Sequence, residues 1–472
     1  MEPTRQDRSR LAGACQLSAL LLLTACAQVG EYQRPDPPVP IVWPTASDGS
    51  GAIDAARTHW RSFFTDERLH ALIKTSLEHN RDLRIAAGRV QEARAQYGVV
   101  RADQSPLVNL FGSGNLTRTP QDFGTAGTAQ TSRRFDVSVS TVSFEIDFWG
   151  RLANLSESAR SSYLATEEAR RAVYLSLVAE VASAYFNLIQ LDELTALAST
   201  TVALRTQSLA LIAKGRDLGG TDDYVFQQAS GVLESARADL AALRYQHAVA
   251  ANRLHFLVGY ASTAPVPAGS LDAQGMDIAL DPGLPAAVLL MRPDVMAAEQ
   301  RLLAAHANIG AARAAFLPKI LLTAGLGLAS RGLLGLFSGG AWNFQPTVSL
   351  PIFDGGRTAA SLDLAEARKV IAVAEYEKTI QQAFREVADL LSARESLALQ
   401  QKASVANRGA QTRRLQIAQA RFSAGLVSYL EVLDAQRELV AAEQVSMQVR
   451  RAQLDATAQL YKALGGGYDN AA

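Results

Sequence analysis

The chain is written twice, and this repeat constrains its fold more than any other feature. At a spacing of 212, Gly98-Val99-Val100-Arg101-Ala102 falls on Gly310-Ala311-Ala312-Arg313-Ala314, Pro106 on Pro318, Arg89 on Arg301 and Asp82 on Asp294. At a spacing of 206, Gly150-Arg151 falls on Gly356-Arg357, Glu180-Val181-Ala182 on Glu386-Val387-Ala388, Gly219 on Gly425, and Leu254 and Gly259 on Leu460 and Gly465. The spacing changes by six residues around 116–140 and 328–346, so one copy carries a longer loop there. Agreement at so many fixed offsets identifies a duplication, with one copy in 67–259 and the other in 292–467.

Both copies follow one plan. Prolines are absent from 121 to 264 and from 352 to the end, and those windows are alanine-rich, with charges every few residues. A single helix over 151–213 would be ~95 Å long at 1.5 Å per residue, far beyond the ~10–14 residues of an average helix. Its charges, Arg160, Glu167, Glu168, Arg170, Arg171 and Glu180, exclude a membrane span. Long helices packed side by side remain, and the small residues of 304–312 let neighbours approach closely.

Short stretches of period two separate these helices. Val108, Leu110, Gly112, Gly114 and Leu116 alternate with polar positions, and Ile320, Leu322, Ala324, Leu326 and Leu328 repeat the phase at the offset of 212. The return strands run through Val142, Phe144 and Ile146 and through Trp342, Phe344, Pro346, Val348, Leu350 and Ile352. Phe135, Val137 and Val139 are out of phase with Val142, which places a bulge near Ser140. Two hairpins, about 107–147 and 319–353, therefore have transmembrane-strand character. Their tips, 117–133 and 331–341, are rich in Gly, Ser and Thr and read as exposed loops. The fold class is mainly α, with long antiparallel coiled-coil helices and four transmembrane β-strands per protomer. Four strands cannot close a barrel, the smallest having about 8. An open edge in lipid leaves backbone groups unpaired at several kcal/mol each, so the chain must oligomerise.

Composition removes other classes. Lys+Arg and Asp+Glu both total 46, so there is no electrostatic footprint for nucleic acid. Both cysteines, Cys15 and Cys26, precede residue 27, and the six histidines show no ligand spacing. No Ser-His-Asp, metal or phosphate-loop arrangement is present, so the chain does not read as an enzyme and implies no cofactor.

The N-terminus is an address. Arg5, Arg8 and Arg10 precede the apolar run 17–23, too short to span a bilayer but suited to a signal peptide, 1–25. Leu23-Thr24-Ala25-Cys26 resembles a bacterial lipoprotein box, which makes Cys26 the site of a covalent lipid, and Ala27 after it points to the outer membrane. Residues 26–66 then form a tether, proline-rich over 32–40. No later segment reaches 18 uninterrupted apolar residues, so no transmembrane helix is expected.

Glycines mark the corners. Gly150, Gly355 and Gly356 stand where a strand turns into a helix, Gly219 and Gly425 where one long helix turns back on the next, and 465–467 where the last helix stops. Leu430, Asp434 and Arg437 fall at i, i+4 and i+7, on one helix face. By periodicity alone these residues and Phe422 read as coiled-coil packing with a solvated ion pair.

A set of motifs in fixed order adds a resemblance. Trp60 with Phe63-Phe64 and Asp66, Asn80-Arg81-Asp82-Leu83-Arg84, Phe148-Trp149-Gly150-Arg151, Arg292-Pro293-Asp294-Val295, Pro351-Ile352-Phe353-Asp354-Gly355-Gly356-Arg357 and Leu460 to Gly467 resemble the TolC-like outer-membrane efflux family, in its lipid-anchored OprM/NodT-like branch. The resemblance covers essentially all of the chain after the signal. It implies a homotrimer with a 12-stranded barrel in outer-membrane lipid, a helical tunnel through the periplasm, and an equatorial girdle from 41–66, 260–291 and the C-terminal end. It implies an exit duct for small molecules, drugs and toxic amphiphiles among them, working with a periplasmic adaptor and an inner-membrane resistance-nodulation-division transporter. It also implies that Leu430, Asp434 and Arg437 narrow a periplasmic gate, with Phe422 holding that helix pair closed. Tyr224, Gln228 and Gly231 stand at the first-copy equivalents, so only the second pair is expected to swing. A duct for polypeptide secretion and a pore-less lipid-anchored scaffold are the alternatives.

Overall fold

A computed structural model describes residues 32–40, 42–43, 53–54, 58–123, 128–260, 269–275, 280–281 and 289–467. The elements in chain order are β1 (Ile53–Asp54), α1 (Trp60–Phe63), α2 (Glu67–His79), α3 (Arg81–Ala102), β2 (Asn109–Thr119), β3 (Gln130–Ile146), α4 (Arg151–Asp217), α5 (Asp223–Val258), β4 (Leu280–Asp281), α6 (Pro293–Ala314), β5 (Lys319–Ser330), β6 (Gly340–Ser349), α7 (Arg357–Ser423) and α8 (Tyr429–Ala463). The long helices α4 and α7 are each 67 residues, or ~100 Å. Pro293 opens α6, where its missing N–H costs nothing, and Pro106 and Pro318 stand between a helix end and a strand.

The duplication is visible in three dimensions. Gly150 and Gly356 have φ of 73° and 84°, Gly219 and Gly425 both 72°, and Gly259 and Gly465 82° and 94°. A buried bond repeats as well, although its chemistry changes. Asn80 Nδ2 donates to Leu257 O at 3.0 Å; at the matching positions Arg292 Nη1 donates to Ala463 O at 2.7 Å. One donor is shifted by 212 and its acceptor by 206, as in the sequence.

Compact packing does not follow the two repeats. One unit holds the sheet with 89–167 and 297–376; the other holds 37–88, 168–296 and 377–472. The second unit has an aromatic centre in which Phe63 stacks on Tyr461, 4.4 Å between centroids, and Trp60 Nε1 donates to the Tyr174 hydroxyl at 2.9 Å. A two-residue parallel pairing of β1 with β4 has no counterpart in the sequence patterns.

The sheet is antiparallel in the order β2-β3-β5-β6. Its register puts Leu110 beside Val139, Val139 beside Leu326, and Leu326 beside Trp342, one apolar row crossing all four strands. Leu110 is 74% exposed and Trp342 81%. Ser138, Gly327 and Asp136 lie on the opposite face. The phase change in β3 is resolved by a bulge between Thr141 and Phe144, slightly beyond the expected Ser140. Ser143 takes φ of 54° there, and its N–H donates to Thr323 Oγ1 at 3.1 Å. The extra residue restores Phe144 and Ile146 to the face already used by Val137 and Val139.

One expectation needs correcting. The strands run further than the composition suggested: β2 continues to Thr119 and β3 starts at Gln130, so 117–119 and 130–133 are ladder and not loop. Their Thr, Ser and Arg side chains pair across the ladder, as polar residues do where a strand leaves the apolar zone. Helix α4 does contain a stretch apolar enough for a membrane span by composition, and over half of that stretch is buried within the chain. Packing against neighbouring helices accounts for its hydropathy.

Candidate functional site

Two helix-hairpin tips carry the candidate site. Helices α4 and α5 meet at Gly219, and α7 and α8 at Gly425. In each the glycine N–H bonds back to the carbonyl three residues earlier and the next N–H to the carbonyl five earlier. Gly219 reaches Arg216 O at 2.9 Å and Gly220 reaches Gly215 O at 2.8 Å; Gly425 reaches Phe422 O and Leu426 reaches Arg421 O, both at 2.9 Å. This helix stop needs one left-handed residue, and glycine takes it without strain.

The tips are fastened differently. In the first, Asp222 caps α5 by accepting from the Tyr224 N–H. Arg216 lies 4.0 Å over the Phe226 ring and 3.3 Å from Asp223. In the second, the N-cap Ser428 makes no side-chain bond, and charges span the hairpin instead. Arg421 meets Glu431 at 2.8 Å and Arg414 meets Asp434 at 2.5 Å. Arg437 meets Asp434 at 2.8 Å and Glu438 at 3.1 Å. Beneath them Ala418, Val432 and Ala435 form a small core with Leu415 and Tyr429.

Leu430, Asp434 and Arg437 line one cleft of about 430 Å3 between α4, α5 and α8, together with Arg205, Gln228 and Asp239. Burial draws the Arg205 guanidinium below its ordinary pKa, against the pull of Tyr429 and Asp239. Phe422 does not join the cleft; its ring packs on Tyr429, 5.4 Å between centroids. Of the first-copy equivalents, Gln228 lines the same cleft, Tyr224 is exposed, and a Cβ on Gly231 would meet open space. Arg205 and Arg414 were not singled out from the sequence. Arg414 could have been: in an antiparallel hairpin turning at Gly425 it is level with Asp434, as Arg421 is with Glu431. No spacing marks Arg205.

The strand-to-helix corners have their own chemistry. Gly150, Gly355 and Gly356 all take positive φ. Asp147 accepts from the Leu152 and Ala153 N–H groups at 3.0 and 2.7 Å, and Asp354 from those of Gly356 and Thr358 at 3.0 and 2.8 Å. Carboxylates thus satisfy the open donors where α4 and α7 begin. Cys26 lies outside the described residues.

A tethered Arg-carboxylate cluster sits at the far end of α8. Arg292, 5% exposed, donates to Asp294 at 3.0 and 2.8 Å, to Glu386 at 2.8 Å and to Ala463 O at 2.7 Å. Burial pushes the Asp294 carboxyl up, and the Arg292 guanidinium outweighs it, so the carboxyl lies below the usual range.

A four-stranded antiparallel sheet with one apolar outward face, carried on two 67-residue helices, defines an outer-membrane channel subunit. The family description "Outer membrane efflux protein" matches residues 72–260 and 284–466, and the chain belongs to that family. It is 43% identical over 453 residues to the cation efflux system protein CusC of Escherichia coli O6:H1, covering 95% of this chain and 97% of that one. It is 39% identical to the probable outer membrane lipoprotein SilC of Salmonella typhimurium, covering 96% and 98%. A crystal structure of a membrane protein from Pseudomonas aeruginosa superposes with a TM-score of 0.88 at 39% identity, over 93% of this chain and 100% of that chain. The protein is an efflux protein of the outer membrane.

Proposed function

We propose that the chain is the passive exit duct of a tripartite pump, a homotrimer whose 12-stranded barrel crosses the outer membrane. The carrying observation is the sheet: β2 and β6 both end it with unpaired backbone, and its outward face is continuously apolar. In lipid such edges are tolerable only when a neighbouring copy pairs with them. Residues 1–25 are the leader, 26–66 the lipidated tether on Cys26, 67–259 and 292–467 the two repeats, 260–291 the equatorial linker and 468–472 a tail. The lipoprotein relative supports the lipid.

The duct rests closed at the tip bearing Leu430, Asp434 and Arg437, with Phe422 bracing α7 on α8. A wide, permanently open pore would leak solutes, so a default-closed state is physically required. The uncapped start of α8 suits it to move, whereas Asp222 secures α5. A periplasmic adaptor and a resistance-nodulation-division transporter supply the cargo, small molecules chosen upstream of this duct. Single-channel recording in planar bilayers tests the reading: discrete conductance steps from a trimer are expected. A monomer in native mass spectrometry, or no conductance, overturns it.

A further inference from the structure

At the end of the sheet away from the long helices, the apolar face runs out into arginines. The face that carries Leu110, Val139 and Leu326 continues through Gly114 beside Phe135 and Phe135 beside Ser330. On the next rungs it bears Arg133, opposite Leu116, and Arg118, opposite Thr131. Arg118 and Arg133 are diagonal neighbours across the ladder, ~7–8 Å apart at the backbone. Arg331 follows Ser330 where β5 ends. All three arginines are exposed. Among the described residues none of them pairs with a carboxylate, whereas Arg134, on the opposite face, is held by Asp136 at 2.9 Å. Acids are scarce around them: 319–349 has no Asp or Glu, and 116–136 has only Asp122 besides Asp136. Like charges placed this close repel, so they favour an anion from outside the chain.

Their height fits a lipid headgroup. From Ile320 to Ser330 the strand β5 advances ten residues, or ~34 Å at 3.4 Å per residue. Tilted by ~40°, it rises ~26 Å, close to the apolar band of a membrane barrel. The arginines stand one rung beyond that band, where the phosphates of a bilayer leaflet lie.

Over the same rim the chain folds a short apolar turn. Leu333–Ser338 form a 3-10 helix packed on β5 and β3. It lies on the apolar face, because a Cβ on Gly335 would stand 2.9 Å from Ser330 Oγ, and Ser330 shares that face with Phe135. The turn buries Leu336, yet Leu333 is exposed, Leu334 fully so, and Phe337 is 79% exposed. Three large apolar side chains together at a rim extend the lipid-facing surface upward.

We propose that Arg118, Arg133 and Arg331 bind the phosphates of a phosphorylated glycolipid in the outer leaflet, with Leu333, Leu334 and Phe337 among its acyl chains. The planar guanidinium fork donates two N–H groups to two phosphate oxygens at once. Several phosphates on one sugar headgroup match three arginines on neighbouring strands. A zwitterionic headgroup offers one phosphate and an ammonium that they repel. The site rests on the barrel reading above, with the hairpin tips outside the cell, and adds the lipid that surrounds its rim.

Native mass spectrometry of the full-length protein in detergent, titrated with diphosphoryl lipid A, tests it. The parent should retain lipid A in preference to phosphatidylethanolamine, and lipid A stripped of its phosphates should lose that preference. Arg118→Gln with Arg133→Gln and Arg331→Gln should weaken lipid A binding about 30-fold, roughly threefold for each exposed pair. Arg134→Gln, on the other face, should bind as the parent does. Unchanged lipid A binding in the triple variant, an equal loss in Arg134→Gln, or equal binding of the stripped lipid by the parent overturns the site. The stripped-lipid comparison needs no variant, so it decides even where the triple variant does not assemble. The same spectra report the trimer, and whole-cell labelling of Gly335→Cys reports the topology, so failure of the barrel reading is seen separately.

Discussion

Replacing Arg292 with methionine keeps an unbranched apolar stem and removes one buried charge, and the structure sets what that costs. Four hydrogen bonds vanish, to Asp294 twice, to Glu386 and to Ala463 O. Breaking a buried ion pair costs about 3–5 kcal/mol, chiefly by stranding the partner. Here the partners are not fully stranded. The Asp294 and Glu386 side chains are 41% and 33% exposed, and Glu386 keeps Lys462 at 3.6 Å. About 2–4 kcal/mol is therefore the expected loss, much of it in the orphaned Ala463 carbonyl. Because the assembly need not unfold in one step, amide hydrogen exchange over Leu460–Ala463 is the suitable assay. Protection should fall by about 30- to 1,000-fold, at 1.4 kcal/mol per decade. The duplicate site is the internal control. Asn80→Ala removes a neutral bond to Leu257 O and two cap bonds to the Asp82 and Leu83 N–H groups, while Ser76 Oγ still donates to Leu257 O. About 1–2 kcal/mol is expected over Leu254–Leu257. Acid should separate the sites too. Asp294 is depressed when folded, so its contribution is complete above pH ~4 and is lost as pH falls through the lower folded value. Equal losses in R292M and N80A, or no extra acid lability at the second site, would refute the reasoning.

Leu430→Ala with Asp434→Ala should widen the tip, raise single-channel conductance and sensitise cells to vancomycin, and Gly231→Ala should change conductance little; parental conductance in the double variant would place the gate elsewhere. Arg414→Ala leaves Asp434 with Arg437 as its only ion-pair partner among the described residues, so three less-neutralised carboxylates should repel and raise open probability; an unchanged value would show that Arg414 plays no part. Mass spectrometry of the mature N-terminus should find a lipidated Cys26 and no residues 1–25, and an unmodified chain starting at Ala27 or later contradicts this. Deleting Ser143 should turn the bulge into a regular ladder with Phe144 and Ile146 still on the apolar face, so the channel should insert and conduct as the parent does; loss of insertion would show that the bulge itself is needed, beyond the phase it corrects. Gly335→Cys, in the tip between β5 and β6, should react with an impermeant label on whole cells; labelling only after outer-membrane rupture inverts the topology.

Much of this architecture is legible because duplication supplies a second measurement of each corner. The offsets 212 and 206 locate the left-handed glycines, since backbone corners tolerate few residues; the Asn80 and Arg292 bonds obey the same offsets but show only in the structure, because an amide and a guanidinium share no residue type. The bulge in β3 was legible as a phase error. Contacts made once, between distant segments, left no such trace. Pairing of Ile53–Asp54 with Leu280–Asp281 is two residues long, too short for any period. Arg205 is one basic residue on a long helix, and only its position in the cleft distinguishes it. Hairpin tips were misjudged because strand ends outside an apolar zone carry loop-like composition.

Helices α4 and α7 have the same residue count between the same kinds of corner: 69 positions separate Gly150 from Gly219, and 69 separate Gly356 from Gly425. Length in this chain is therefore not a free variable. One residue inserted in α4 alone would turn its tip by ~100° and advance it ~1.5 Å, while α7 stayed where it was. Hairpins that meet at one aperture, as proposed, cannot drift apart in that way. Lineages that shorten or lengthen the duct should do so in whole heptads, in both long helices and in their return helices together, so insertions in one repeat should predict insertions in the other.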